Sequence, residues 1–137
     1  MQNTLVDTGP LVSLFRKTDR NHRRARHFVA AFSGNLITTW PVMTEICHLL
    51  PPHAVRRFMA WAADGGLVVV EMPGETIARL HELMRKYADL PMDLADASLV
   101  WLGEQIDLLD VITLDERDFA AYRTAAGQPF RNLLAPA

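Results

Sequence analysis

Apolar positions along the chain alternate between two periods. Thr4-Leu5-Val6 is a short apolar run that stops at Asp7-Thr8-Gly9-Pro10. This predicts a strand ending in a turn, with Pro10 in the first turn of a helix. Leu11, Leu14 and Phe15 continue at helical spacing. From Asp19 a second helix is predicted, with Ala25, Phe28, Val29 and Phe32 at i, i+3, i+4, i+7 and Gly34 as its stop. Leu36-Ile37-Thr38-Thr39 reads as a strand. Pro41 opens a helix carrying Val42, Ile46, Leu49 and Leu50, which Pro51-Pro52 ends. Val55, Phe58, Met59 and Ala62 mark the next helix, stopped by Gly65-Gly66. Leu67-Val68-Val69-Val70 is continuous and β-branched, the pattern of a strand buried on both faces. Glu75 to Ala88 is helical, with Ile77, Leu80 and Met84 inward, and Asp93 begins a helix carrying Ala95, Leu99 and Leu102. Val111-Ile112-Thr113-Leu114 is a strand, Asp115 to Tyr122 a short helix, and Phe130–Leu134 a last edge strand.

Strands alternating with helices predict a mainly parallel central sheet covered on both faces, a three-layer α/β/α sandwich. With 137 residues and no break in composition, a single domain over 1–137 is expected. Half the residues are apolar and 22% are charged, which excludes a disordered or low-complexity chain. Apolar runs such as Phe28–Phe32 are far shorter than the roughly 20 residues a membrane helix needs, so no membrane association is expected. The N-terminus has no basic segment leading into an apolar one, and the single cysteine, Cys47, cannot close an internal disulfide; a reducing cytoplasm is the expected setting.

The sites of ligands in such sheets lie beyond the carboxyl ends of the strands. Asp7, Asp115, the Asp93/Asp96 pair and Glu45 all belong near that edge. Each has a plain structural use: Asp7 or Thr8, Asp93 and Asp115 are all placed to cap helices. Glu45 and Asp96 are different, because both lie beside apolar stripes and are directed partly inward. A buried lone carboxylate is expensive. Two like charges about 4 Å apart repel by roughly 4 kcal/mol at an effective dielectric of about 20. No lysine or arginine adjoins Asp7, Glu45 or Asp96 in sequence. A hard divalent cation would compensate, and oxygen ligands suit magnesium or manganese.

Net charge is −2, which gives no global nucleic-acid footprint, but the distribution is uneven. Arg16, Lys17, Arg20, Arg23, Arg24 and Arg26 hold six of the fourteen basic charges within eleven residues. Arg20, Arg23, Arg24 and His27 recur at helical spacing, either as a solvated face or as a surface for RNA or an acidic partner. The five histidines show no metal-ligand spacing, and the tryptophans, methionines and Cys47 read as packing or interface, with Cys47 a buried inert thiol. Asp7-Thr8-Gly9 also occurs in aspartic proteases, but those need a β-rich fold and a second such aspartate. A phosphoacceptor domain would need a lysine near the late strand, and the only lysines are Lys17 and Lys86. No G-x-G-x-x-G or P-loop occurs.

Four segments, in order, resemble the motifs of PIN-domain nucleases: Leu5-Val6-Asp7-Thr8-Gly9-Pro10-Leu11, Thr44-Glu45, Pro91-Met92-Asp93-Leu94-Ala95-Asp96-Ala97, and Thr113-Leu114-Asp115-Glu116-Arg117-Asp118-Phe119. Order, spacing and length are similar to VapC-type toxins of toxin–antitoxin modules. The resemblance implies a PIN-like sandwich whose acids Asp7, Glu45, Asp96 and Asp115 hold Mg²⁺ or Mn²⁺. Asp93 and Asp118 match accompanying acids, and Thr8 and Thr113 match small polar positions that support the site. It further implies an endoribonuclease toxin acting on an RNA substrate, inhibited by a cognate antitoxin and usually a homodimer. The other reading is a catalytically silent PIN-like module acting through antitoxin or dimer contacts.

Overall fold

The structure is a computed structural model that describes residues 2–135. Five strands form one sheet: β1 (Asn3–Val6), β2 (Asn35–Thr39), β3 (Val68–Val70), β4 (Asp110–Ile112) and β5 (Arg131–Asn132). Their order is β3-β2-β1-β4-β5 and every pairing is parallel. The helices are α1 (Thr8–Leu14), α2 (His22–Ala31), α3 (Trp40–Leu49), α4 (Pro52–Trp61), α5 (Ile77–Lys86), α6 (Leu94–Ile106) and α7 (Glu116–Ala121). They cover the sheet as the outer layers of an α/β/α sandwich.

Central position explains burial. β1 lies in the middle of the sheet and Thr4, Leu5 and Val6 are fully enclosed, as are Val111 and Thr113 at β4. Parallel strands need such two-sided cover. α6 is the most buried helix; Leu99, Val100 and Leu102 have no exposed surface, and it packs against α3, α5 and β2. Phe58 of α4 is also fully buried, edge-on to Phe15 with ring centroids 5.5 Å apart.

The chain turns from β1 directly into α1, and Gly9 serves that turn. A Cβ there would lie 3.3 Å from the Leu114 side chain, so glycine lets α1 start close against the segment after β4. The sequence of strands also sets the site's location. β1 is followed on one side by β2 and β3, and on the other by β4 and β5, so the order reverses between β1 and β4. The carboxyl end of that crevice is where open parallel sheets receive ligands.

Several expectations are corrected. β3 is an edge strand and Val68 is 44% exposed, so the Val run is not buried on both faces. Ile77 is 69% exposed rather than inward: the buried face of α5 runs through Leu80, Leu83 and the following Tyr87, and Ile77 in the first turn lies off it. Leu49 and Met59 are exposed, and Cys47 is only half-buried, its Sγ 4.0 Å from the Met59 sulfur. The predicted helix from Asp19 begins at His22; Asp19 instead closes the preceding turn by accepting from Ser13 Oγ and the Asn21 N–H, each at 2.8 Å.

Candidate active site

Four elements bring acids to the carboxyl end of the sheet. The β1–β4 ladder runs one residue beyond β1, where the Asp7 N–H donates to the Ile112 carbonyl at 3.0 Å. Asp7 is the N-cap of α1 and its Oδ1 accepts from the Thr8 N–H at 2.8 Å. Its Oδ2 accepts from the Thr113 hydroxyl at 2.7 Å. Both oxygens are therefore oriented, and the residue is only 6% exposed. Thr113 Oγ1 also accepts from the Asp115 N–H at 2.9 Å, so one hydroxyl ties the turns after β1 and β4 together. Asn132 of β5 holds the Thr113 backbone from behind, its Oδ1 accepting from the N–H and its Nδ2 donating to the carbonyl.

Asp96 comes from the first turn of α6. Asp93 caps that helix, its Oδ1 accepting from the Asp96 N–H at 2.8 Å. The Asp96 carboxylate, 8% exposed, accepts at Oδ2 from the hydroxyl of the fully buried Tyr122 at 2.9 Å. Asp115 is the N-cap residue of α7, and Glu45 stands half-buried on α3.

Asp7, Thr8, Glu45, Asp93, Asp96 and Asp115 line one cleft of about 410 Å³, together with Gly9, Leu49 and Leu114. One carboxylate oxygen each from Asp96, Asp115 and Asp118 lie within 4.8 Å of one another. Asp118 thus stands beside Asp96 and Asp115, while Asp7 and Glu45 share the cleft outside that trio. Thr8 and Thr113 are both buried at the site. Arg20, Arg23 and Arg24 are elsewhere and line a separate groove with His27.

Burial dominates the electrostatics. It lifts the Asp7 carboxyl from 3.8 to about 6, against the hydrogen bonds from Thr113 and Thr8 and with a further push from Glu45 and Asp115. Asp96 is pushed up to about 8, first by burial and then by the charges of Asp7 and Asp93; the Tyr122 hydroxyl only partly offsets this. Asp115 is raised by burial and by its neighbour Asp118. Burial and the facing Asp96 drive the Tyr122 hydroxyl far upward, so it remains a donor. Among the described residues no lysine, arginine or histidine lies within 4.0 Å of these carboxylates.

The donors fit a hard divalent cation. They are all oxygen, the trio converges, and among the described residues no cation neutralises them. The Thr8 hydroxyl, buried at the cleft, has no hydrogen-bond partner among the described residues. A water or an ion in the cleft would supply this hydroxyl with a partner.

Tyr122 and Asn132 carry no sequence signal for the site. Each reaches it across the fold, one onto Asp96 and the other onto Thr113.

A family model described as the PIN domain matches residues 4–125. The chain belongs to the PIN-domain family. Ribonuclease VapC26 of Mycobacterium tuberculosis is 23% identical over 130 residues, covering 92% of this chain and 96% of that protein. The crystal structure of Mycobacterium tuberculosis VapC20, described as a sarcin–ricin loop cleaving toxin, is similar with a TM-score of 0.75 and 15% identity, covering 85% of this chain and 92% of that one. A toxin–antitoxin complex from Klebsiella pneumoniae contains a chain similar at a TM-score of 0.63 and 20% identity, with 86% and 91% covered. These likenesses establish the PIN fold, and the similarity to VapC-type toxins read from the four motifs holds along nearly the whole chain.

Proposed function

We propose that this PIN-domain protein is a metal-dependent endoribonuclease toxin of a type II toxin–antitoxin module, hydrolysing RNA phosphodiester bonds. The observation that carries the reading is the acidic cleft itself: buried carboxylates with raised pKa values and, among the described residues, no cation beside them and no partner for the Thr8 hydroxyl. Asp7, Asp96, Asp115 and Glu45 would hold Mg²⁺ or Mn²⁺, with Asp118 in reach beside Asp96 and Asp115. When bound, such an ion makes a water acidic enough to attack and neutralises charge on the scissile phosphate.

The chain's own groups orient and desolvate. The Thr8 N–H and Thr113 hydroxyl fix the two oxygens of Asp7, and Tyr122 fixes Asp96. Asp93 sets the start of α6, on which Asp96 rides. Water adds to phosphorus, the P–O3′ bond breaks, and the products carry a 5′-phosphate and a 3′-hydroxyl. No protein nucleophile takes part.

VapC26 is named a ribonuclease, VapC20 a loop-cleaving toxin, and the Klebsiella chain comes from a toxin–antitoxin complex. Those likenesses support an RNA substrate and a cognate antitoxin for this chain. No helix among the described residues is long and apolar enough to cross a membrane, and a cytoplasmic setting accords with the substrate. The homodimer usual in the family would use the exposed apolar residues Trp40, Leu49 and Leu94 beside the cleft.

The test pairs the wild type with Asp7→Asn and Asp96→Asn. RNA ends are sequenced after induced expression, and cleavage is assayed with purified protein in Mg²⁺, in Mn²⁺ and in chelator. The wild type cuts RNA only with the metal, and each variant loses about two orders of magnitude or more, because each removes a charge that holds the ion. Full cleavage by either variant sinks the assigned roles. An absence of Mn²⁺ binding by calorimetry at millimolar concentration favours a silent binding module instead.

A further inference from the structure

A second groove, of about 570 Å³, is lined by Arg20, Arg23, Arg24, His27, Phe28, Leu133 and Leu134. It joins the start of α2 to the segment after β5. Its cations are differently placed. Arg24 is anchored: its guanidinium donates to the Leu134 carbonyl and lies 3.5 Å from the Glu116 carboxylate. Arg20 and Arg23 have no acidic partner within 4.0 Å among the described residues. Glu116 is the first residue of α7, immediately after Asp115 of the acidic cleft. The basic groove and the acidic cleft therefore flank the same helix start. Phe28, stacked on Phe32 with centroids 5.3 Å apart, and the two leucines give the groove an apolar side.

Resting on the ribonuclease reading, we propose that this groove is the track on which single-stranded RNA lies as it leaves the acidic cleft. Arg20 and Arg23 would take phosphates and Phe28 would meet a base face, while Arg24 holds the groove to α7. A cleft lined with carboxylates repels the flanking phosphates of any substrate. Affinity must then come from cations beside the cleft; Arg24, joined to Glu116, ties the groove that Arg20 and Arg23 also line to that helix start. Stacking on an aromatic side chain adds hold without sequence preference. An acidic protein segment would also be attracted by the arginines, but nothing in its chemistry requires the groove to adjoin the cleft.

The experiment compares the full-length wild type with Arg20→Ala/Arg23→Ala and with a control, Arg56→Ala/Arg85→Ala, whose arginines are exposed on α4 and α5. Binding of a short labelled single-stranded RNA is measured in chelator across a salt series, and KM and kcat in Mg²⁺. The groove variant is expected to raise KM roughly tenfold with kcat little changed, and to flatten the salt slope by about 0.7 per arginine. The control changes neither. Phe28→Ala raises KM without touching the slope. The proposal is overturned if KM and slope are unchanged in the groove variant, or if the control raises KM and flattens the slope equally. It is also overturned if the groove variant loses only its hold on an acidic antitoxin. A wild type that never cleaves defeats the ribonuclease reading separately, and the salt slope in chelator still decides the groove.

Discussion

Tyr122 packs edge-on against Phe119 and Tyr87, each at a centroid distance of 5.0 Å, and spends its hydroxyl on Asp96. The ring and the hydroxyl therefore do separable things. Tyr122→Phe keeps the packing and deletes the donor that orients the Asp96 carboxylate. Partners that orient a metal-holding group usually alter affinity by about ten- to a hundredfold. The expected result is a Mn²⁺ affinity lower by about that factor in calorimetry, with the urea midpoint little moved. An unchanged affinity assigns the hydroxyl to packing alone. The same logic makes Thr113 more than a filler: its single hydroxyl both accepts from the Asp115 N–H and donates to Asp7, so Thr113→Val leaves two groups unpaired at once.

At the scale of the element, Asp93 is at once a helix cap and one of the acids of the cleft, and a pair of substitutions separates the two. Asp93→Ala removes the acceptor of the Asp96 N–H and is expected to cost about 1 kcal/mol in urea unfolding. Asp93→Asn keeps an acceptor and drops the charge that raises Asp96, so it unfolds at an equal or higher urea concentration than the wild type. An Asn variant as unstable as the Ala variant contradicts this division. The elements themselves were legible because their ends carry local chemistry: Asp7 before Gly9-Pro10, Pro51-Pro52 after α3, Asp93 before α6. Such signals put the acids at strand ends before any pairing is known. What stayed hidden is non-local. A run of valines reads alike in a central strand and in β3 at the edge, where Val68 meets solvent. In α5 the packing chose the face of Leu80 and Leu83, which leaves Ile77 turned outward. No spacing announces that Tyr122 reaches Asp96, or that Asp118, matched to an accompanying acid by resemblance alone, comes close to Asp96.

The whole molecule pays for this arrangement in stability, and pH exposes it. In the unfolded chain the aspartates titrate near 3.8; in the folded chain Asp7 titrates near 6 and Asp96 near 8. Between those values the folded state holds protons that the unfolded state has released. Stability contributed by these groups is thus full below about pH 4 and is lost as pH rises toward 8. The facing groups are Asp7, Glu45, Asp93, Asp96, Asp115, Asp118 and the neutral Tyr122, with no cation among the described residues to reverse the sign. The loss amounts to a few kcal/mol for the two enclosed aspartates, and less for the more exposed Asp115, which water screens. In chelator, Tm by circular dichroism should therefore be lower near pH 8 than near pH 5.5, by roughly ten degrees. Mg²⁺ or Mn²⁺ stabilises only the ionised cleft, so added metal should raise Tm near pH 8 far more than near pH 5.5. Asp96→Asn removes the larger titration and should flatten both dependences while leaving the protein folded. A Tm that climbs with pH in chelator, or a metal effect equal at both pH values, means that the carboxylates do not form one strained, cation-seeking cleft.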